Sequence, residues 1–424
     1  MFCDMEGFQG MSPPKINQKR AITVNWAVVH IRYPLFLYPF TIPLYAIIPK
    51  PAYLVANLLL TYKANCPLIK KQKAKSNVLS LPQTSLFISP HLRSQFFLRR
   101  NKIVSKDLPD AITTEEQLDE VMSIASENLI HMMKKIEGDI MVLGIAGKIG
   151  VQLGMAAVKA IDKAGGRNRV IGVSRFSDES AREKLESFGI EAIKCDLLHN
   201  DLVNKLPRVP NVIFMAGKKF GTSGSEDLTW AMNTIVPANV AQHFIKSKIV
   251  AFSTGNVYDL AQVCGAMPTE DDLTNPMGEY AQSALGRERV FEYFSNLNQT
   301  PVCIVRLNYA VDLRYGVLRD IGNRVYVGQS IDLSTGHVNV IWQGDVINQA
   351  ILCLEHCSSP VNIINMTGPE TASIRYIAMQ FAKIFNKDVT FINEERPTAL
   401  LSNASKAAKL FGYPSVPLLR MIEW

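Results

Sequence analysis

Asp139-Ile-Met-Val-Leu-Gly144-Ile-Ala-Gly147-Lys-Ile-Gly150 is the stretch on which the reading of the fold turns. A short apolar run ends at a glycine, and two more glycines follow at intervals of three. An alanine-rich run then continues to about Ala164 and closes on Gly165-Gly166. An apolar run this short, bounded by glycine, predicts a buried strand, and the run after it predicts a helix with a glycine stop. The chain must turn tightly between them. A Cβ in that turn would block a pyrophosphate approaching the backbone, and the helix's first N–H groups are left to bind its negative charge. The spacing therefore predicts a dinucleotide-binding turn; a plain strand-to-helix turn is the competing reading.

The pattern holds when followed outward. Strands are predicted at Arg169–Ser174, Glu191–Cys195, Asn211–Met215, Ile249–Ser253 and Val302–Leu307. Helices are predicted at Glu179–Phe188, about Leu228 to Ile245, and Tyr280–Leu297. Strands alternating with helices imply an α/β fold, a Rossmann-like doubly wound parallel sheet, with a smaller C-terminal substrate-binding lobe. Upstream, Thr113-Thr-Glu-Glu116 reads as a capping box opening a helix that reaches Lys135 and stops at Gly138. The division is a helical lead-in over 104–138, a nucleotide-binding domain over 139–307, and a lobe over 308–424 from which 338–366 returns to the sheet. Trp424 follows soon after a predicted helix start, which reads as a C-terminus cut short.

The chain has 424 residues and a formal charge of +7, a basic sum that invites nucleic acid or membrane as a partner. The charge is unevenly placed. Residues 1–103 hold 14 Lys+Arg and 2 Asp+Glu, whereas 104–424 hold 31 and 36. The body is therefore acidic, and it gives no basis for nucleic-acid binding. Ten of the 22 prolines lie in the first 103 residues, and Pro34, Pro39, Pro43, Pro49 and Pro51 interrupt the apolar stretch 33–60. A spanning helix needs about 20 uninterrupted apolar residues, so a membrane role is disfavoured. That segment reads as a disordered extension or as an artefact of the chosen gene start. The seven cysteines form no CxxC pair and no metal-ligand spacing, which points to a reducing, cytoplasmic compartment and no metal.

The end of the second strand bears on the cofactor. A carboxylate there would bond the adenosine ribose hydroxyls of NAD, and would repel a 2′-phosphate. This sequence has Ser174-Arg175, and a guanidinium fork attracts phosphate, so NADP is favoured over NAD. Asp178, nearby, keeps NAD open.

With these motifs in order, the chain from about 139 to 424 resembles the extended short-chain dehydrogenases/reductases, the NAD(P)-dependent nucleotide-sugar epimerases and dehydratases. Gly144, Gly147 and Gly150 resemble the family's glycine fingerprint, Cys195-Asp196-Leu197 its acidic adenine contact, and Met215-Ala216-Gly217 its fourth-strand turn against the cofactor. Phe252-Ser-Thr254-Gly-Asn-Val-Tyr258 resembles its active-site serine/threonine strand. Pro268-Thr-Glu-Asp-Asp, Asn275-Pro276 and Tyr280 resemble the approach to its catalytic tyrosine. Arg306-Leu-Asn308-Tyr and Val338–Val346 resemble its entry into the substrate domain and a later strand–helix junction. The resemblance implies hydride transfer on a nucleotide-linked or related polar substrate. Thr254 would hydrogen-bond the reacting oxygen and Tyr280 would exchange its proton. Asn308, Arg314 and Arg319 are the candidate substrate contacts, and a homodimer is compatible.

One position departs from the family. Its tyrosine is followed four residues later by a lysine that lowers the tyrosine's pKa; here Tyr280 is followed by Ala284. An ordinary tyrosine has a pKa of about 10, so roughly one molecule in a thousand is phenolate at pH 7. Three substitutes are open: the charge of an oxidised nicotinamide, Arg287 about 10 Å further along the helix axis, and Lys218 or Lys219 after the fourth strand, with Lys219 favoured. The competing functional reading is a non-catalytic NADP-binding module that senses redox state.

Overall fold

The computed structural model describes residues 108–219 and 221–424. The readings of 1–103, and Phe220, lie outside the described residues. Two short helices, α1 (Glu115–Met122) and α2 (Glu127–Met133), replace the single lead-in helix predicted up to Lys135. The N-cap is Thr114, not Thr113; its side chain accepts from Gln117 N, while Gln117 Oε1 accepts from Thr113 N. Ser123 bonds back to the Asp119 carbonyl and Ser126 caps α2, so two serines break the run.

Then come β1 (Ile140–Leu143), α3 (Gly150–Ala164), β2 (Val170–Ser174), α4 (Glu179–Ser187), β3 (Glu191–Lys194) and β4 (Asn211–Phe214). They are followed by α5 (Glu226–Trp230), a π-turn at Ala231–Ile235, α6 (Val236–His243), β5 (Lys248–Thr254), α7 (Gly278–Asn298) and β6 (Val302–Leu307). The lobe and its return contribute α8 (Val317–Tyr326), α9 (Gln343–Leu352), β7 (Asn362–Met366), α10 (Ile374–Phe385) and α11 (Leu418–Glu423).

The sheet has seven parallel strands in the order β7-β6-β5-β4-β1-β2-β3. β1 and β4 are buried on both faces, which is why they read as unbroken apolar runs rather than alternating ones. At the edge, β3 exposes Glu191 and Lys194, charges that discourage pairing with another strand. One face is covered by the lead-in helices, α3 and α9; the other by α6 and α7.

Chain order reverses between β1 and β4. In such sheets the crevice beyond the strand ends at this switch point is where ligands bind. The predicted helix 228–245 is interrupted there by the π-turn. Pro237 lacks the N–H that would bond the Asn233 carbonyl, and the ladder widens around the gap.

The lobe is built on α8 packed against α10, with α11 beside α10. Trp424 donates its indole N–H to the Pro109 carbonyl at 3.0 Å and meets Trp342 edge-on at 5.2 Å. Among the described residues no helix is long and apolar enough to cross a membrane, and no group of His, Cys, Asp and Glu could hold a metal ion.

Candidate functional site

The glycine loop lies at the switch point and is held as a close-packed turn. Gly144 has φ +89°, a left-handed conformation, and a Cβ on it would lie 2.7 Å from the Ala216 nitrogen. The loop leaving β1 therefore touches the turn leaving β4. At Gly150 a Cβ would lie 2.3 Å from the Ile145 carbonyl oxygen. Gly147 is looser, with the nearest atom at 3.3 Å. Helix α3 begins at Gly150 without a side-chain cap. Its leading N–H groups present the positive end of a 15-residue helix. These features fit a dinucleotide's pyrophosphate.

Sequence reasoning missed how the loop is fastened. Lys148 Nζ lies 4.1 Å from the centre of the Tyr315 ring. The Tyr315 hydroxyl donates to Gln343 at 2.6 Å, and the Gln343 amide donates back to the Lys148 carbonyl at 3.2 Å. Burial pushes the Tyr315 hydroxyl's pKa well above the ordinary tyrosine value, so it stays a donor. Tyr315 and Gln343 carry no motif; only their contact in space reveals the strap.

Arg175 is exposed at the end of β2. Asp178 is occupied otherwise: it caps α4, accepting from the Ser180 N–H at 3.0 Å and the Ser180 hydroxyl at 2.7 Å. Those bonds hold its carboxyl below the usual range. Asp196, following β3, accepts from Leu198 N at 3.1 Å. Ala216 is buried and Gly217 exposed.

The chemistry-bearing residues are distributed less evenly than the motifs suggest. Thr254 ends β5 and is buried; its hydroxyl donates to Asn256 Oδ1 at 2.9 Å and accepts from Asn256 N at 3.2 Å. Here it caps the turn Gly255–Val257. Tyr280, in the first turn of α7, is half-buried. Lys218 donates Nζ to Ser225 Oγ at 2.7 Å, and Lys219 is exposed on the same loop.

Arg287, read from the sequence as one remote cation among several, is buried. Its Nη1 donates to the Phe252 carbonyl at 2.7 Å and its Nη2 to Asn233 Oδ1. A Cβ on Gly217 would lie 2.1 Å from Nη2. Helical side chains tilt toward the N-terminus, so the guanidinium reaches back along α7 from its own Cα. Asn233, placed by the π-turn, was not foreseen; Pro237 in a helical run was the available signal.

Two of the candidate substrate contacts are engaged within the protein in this structure. Arg314 is gripped by Asp312 at 2.9 Å and by Asp119 of α1 at 3.1 Å. Asp119 also accepts from Gln152 at 2.8 Å and pairs with Lys184, so Arg314 secures the lead-in helix to the body. Asn308 is buried and donates to Asn339 at 3.0 Å and to the Leu400 carbonyl at 3.3 Å. Arg319 is exposed and, with Asp312, Asn323 and Trp342, lines a cavity of about 260 Å³ in the lobe.

Comparison with known proteins agrees with this fold. Residues 140–311 match the NAD dependent epimerase/dehydratase family. A UDP-glucuronic acid 4-epimerase from Bacillus cereus, in complex with UDP-glucuronic acid and NAD, is similar at 22% identity and a TM-score of 0.56, over 67% of this chain and 96% of its own. A UDP-glucose 4-epimerase from Thermotoga maritima, with UDP-glucose, is similar at 18% identity and a TM-score of 0.56, over 67% and 96%. An epimerase from Methanothermobacter thermautotrophicus is similar at 18% identity and a TM-score of 0.57, over 70% and 93%. At such identities the likeness concerns the fold. No curated protein matches in sequence.

Proposed function

We propose, for a chain whose residues 140–311 form a domain of the NAD dependent epimerase/dehydratase family, that it binds NADP or NAD at the switch point. There it acts as an oxidoreductase or isomerase on a nucleotide-linked sugar or related polar substrate. The observation that carries the reading is the contact of Gly144 with the Ala216 turn beneath the uncapped start of α3.

When bound, the nicotinamide would supply hydride acceptance and return. The chain's part is to bind, orient and move a proton. Gly144, Gly147 and Gly150 leave the backbone open to the pyrophosphate. Ala216 and Gly217 keep the neighbouring turn low. Tyr280 exchanges the proton of the reacting oxygen, and the Thr254 hydroxyl turns from Asn256 to bond that oxygen. Asn308, Arg314 and Arg319 remain the candidate substrate contacts. The exposed Tyr293 and Leu297, one turn apart on α7, support a homodimer. The free thiols of Cys195, Cys264, Cys303, Cys353 and Cys357 fit a cytoplasmic location.

Arg175 supports NADP, because Asp178 is committed to capping α4 while the arginine is exposed at the end of β2. Titrating the full chain with NADPH and with NADH tests both statements. We expect both to bind, NADPH more tightly, and Arg175→Ala to weaken NADPH about tenfold, the worth of one charge-assisted phosphate contact, with NADH little changed. Absence of binding to either cofactor overturns the reading; equal affinities overturn only the preference. A non-catalytic NADP-binding module is the second reading, favoured by Ala284 and by the Thr254 hydroxyl's bond to Asn256. Hydride exchange with any sugar nucleotide, lost in Thr254→Ala, would count against it.

A further inference from the structure

The glycine loop has little of its own to hold it still. Gly144, Gly147 and Gly150 carry no side chain, and Ala146, Gly147 and Lys148 are exposed. Two short backbone bonds cross the loop: Gly147 N–H to the Gly144 carbonyl and Gly150 N–H to the Gly147 carbonyl, each at 3.1 Å. The Leu153 N–H takes the Ile149 carbonyl, one residue beyond the Lys148 carbonyl. Glycine loses more backbone freedom on ordering than any other residue. A loop with three of them is ready for a ligand only if it is fastened from outside.

The fastening comes from two elements distant in the chain. Tyr315 lies between β6 and α8, where the chain enters the lobe, and Gln343 opens α9. Lys148 Nζ stands 4.1 Å from the centre of the Tyr315 ring, and the Lys148 carbonyl accepts from the Gln343 amide at 3.2 Å. The Tyr315 hydroxyl, donating to Gln343 at 2.6 Å, closes the circuit. Side chain and backbone of one loop residue are thus both tied. The anchors are themselves fixed. Gln343 is fully buried, and the Tyr315 N–H bonds Asp312 Oδ1 at 3.1 Å. Asp312 also grips Arg314, which reaches Asp119.

We infer that Tyr315, acting with Gln343 through Lys148, is a positioning residue that holds the glycine loop in its binding geometry and so sets nucleotide affinity from the lobe. This deepens the proposed function and rests on the glycine loop being the nucleotide site. A loop already restrained has less freedom left to lose when the nucleotide arrives. A cation over an aromatic ring and a neutral hydrogen bond are each modest, so the strap steadies the loop through their combination. The coupling is reciprocal: a nucleotide that steadies the loop also steadies residues 312–315 at the entrance to the lobe.

The test uses the full chain and two readouts. Amide hydrogen exchange is followed over residues 144–150 without nucleotide, and NADPH and NADH are then titrated. Tyr315→Phe keeps the ring and drops only the hydroxyl. We expect it to speed loop exchange and to weaken both nucleotides about threefold, the size of one neutral hydrogen bond. Tyr315→Leu removes ring and hydroxyl, and should weaken both by about tenfold. Lys148→Met should also speed exchange and weaken both, whereas Lys148→Arg, which keeps a cation over the ring, should restore wild-type behaviour. Lys148→Met added to Tyr315→Leu should cost nothing further, because the contact is already gone.

Additive losses in that pair would show Lys148 acting on the nucleotide independently of Tyr315, and would overturn the inference. A folded Tyr315→Leu with unmoved loop exchange overturns it too, as does faster exchange with unmoved affinities. If Tyr315→Leu does not fold, Tyr315→Phe and Lys148→Met decide by the same two criteria. A wild type that binds neither nucleotide overturns the proposed function, and this inference with it. A wild type that binds while the variants match it overturns the inference alone.

Discussion

Gly150→Ala is expected to abolish NADPH and NADH binding, with a loss of about a hundredfold or more, and to cost about 1–3 kcal/mol of stability. The new Cβ would stand 2.3 Å from the Ile145 carbonyl oxygen and 2.7 Å from both its carbonyl carbon and its Cα. All three are backbone atoms, and none can rotate aside. Ile145 is also pinned: its N–H bonds the Val173 carbonyl at 3.2 Å, and its side chain is fully buried, filling the space that a Cβ on Gly172 would need. Relief must therefore come from the start of α3, which carries the N–H groups proposed to hold the pyrophosphate. A displacement of the order of 1 Å at such a contact is enough to cost a hundredfold. Gly165→Ala is the control. It has φ +70° and nothing within 4 Å, so it should cost about 1 kcal/mol from backbone strain alone and leave nucleotide binding intact. Denaturant melts and cofactor titrations on the two variants separate the effects. A Gly150→Ala protein that binds within about threefold of wild type would mean that the loop is only a turn.

The same glycines explain how much could be read without coordinates. β1 and β4 are buried on both faces, so their apolar runs announce themselves, and the strand-helix alternation fixes a parallel sheet. Gly144 and Gly150 are legible because each sits where a Cβ has no room. The lead-in was misread because Thr113 and Thr114 offer two caps one residue apart, and only the bond from Gln117 N chooses between them. The serines that split the helix are also compatible with a helix interior, and their preference for the Asp119 carbonyl and the Leu129 N–H is settled by packing. Arg314 illustrates the wider limit. Its partner Asp119 lies 195 residues away in the chain, and no local pattern announces it. Arg287 is likewise held across the fold, by Asn233 and the Phe252 carbonyl. Charges are the hardest features to place from sequence because their partners are chosen across the fold.

Arg306→Met is expected to lower stability by about 3–5 kcal/mol, and Glu288→Gln by a similar amount, because each leaves the other partner charged or unsatisfied in a dry interior. The pair is 3% and 1% exposed. Arg306 donates Nη2 to Glu288 Oε2 at 2.7 Å and Nη1 to the Tyr258 hydroxyl at 2.7 Å, and Tyr258 donates to Asn365 at 2.8 Å. Ser253 donates to Glu288 Oε1 at 2.5 Å. Glu288 is on α7, Ser253 on β5, Arg306 on β6 and Asn365 on β7, so one network ties α7 to three successive strands. Burial pushes the Arg306 pKa down, but its bonds and attraction to Glu288 outweigh that and hold it above the ordinary arginine value. The guanidinium therefore stays charged throughout any usable pH range, and pairing, not deprotonation, must neutralise it. That predicts the double variant Glu288→Leu with Arg306→Met to be more stable than Arg306→Met alone, since an apolar pair removes the stranded carboxylate. Urea midpoints for the wild type, Arg306→Met, Glu288→Leu and the double variant measure it, and additive losses would show that the residues act independently. Tyr280 and Arg287 stand on the same helix as Glu288, and Thr254 follows Ser253. A folded Arg306→Met should therefore keep the nucleotide affinity proposed for the ends of β1 and β4, while losing the alignment proposed for Thr254 and Tyr280. Binding that survives while hydride exchange falls would locate this network under the chemistry rather than under the nucleotide.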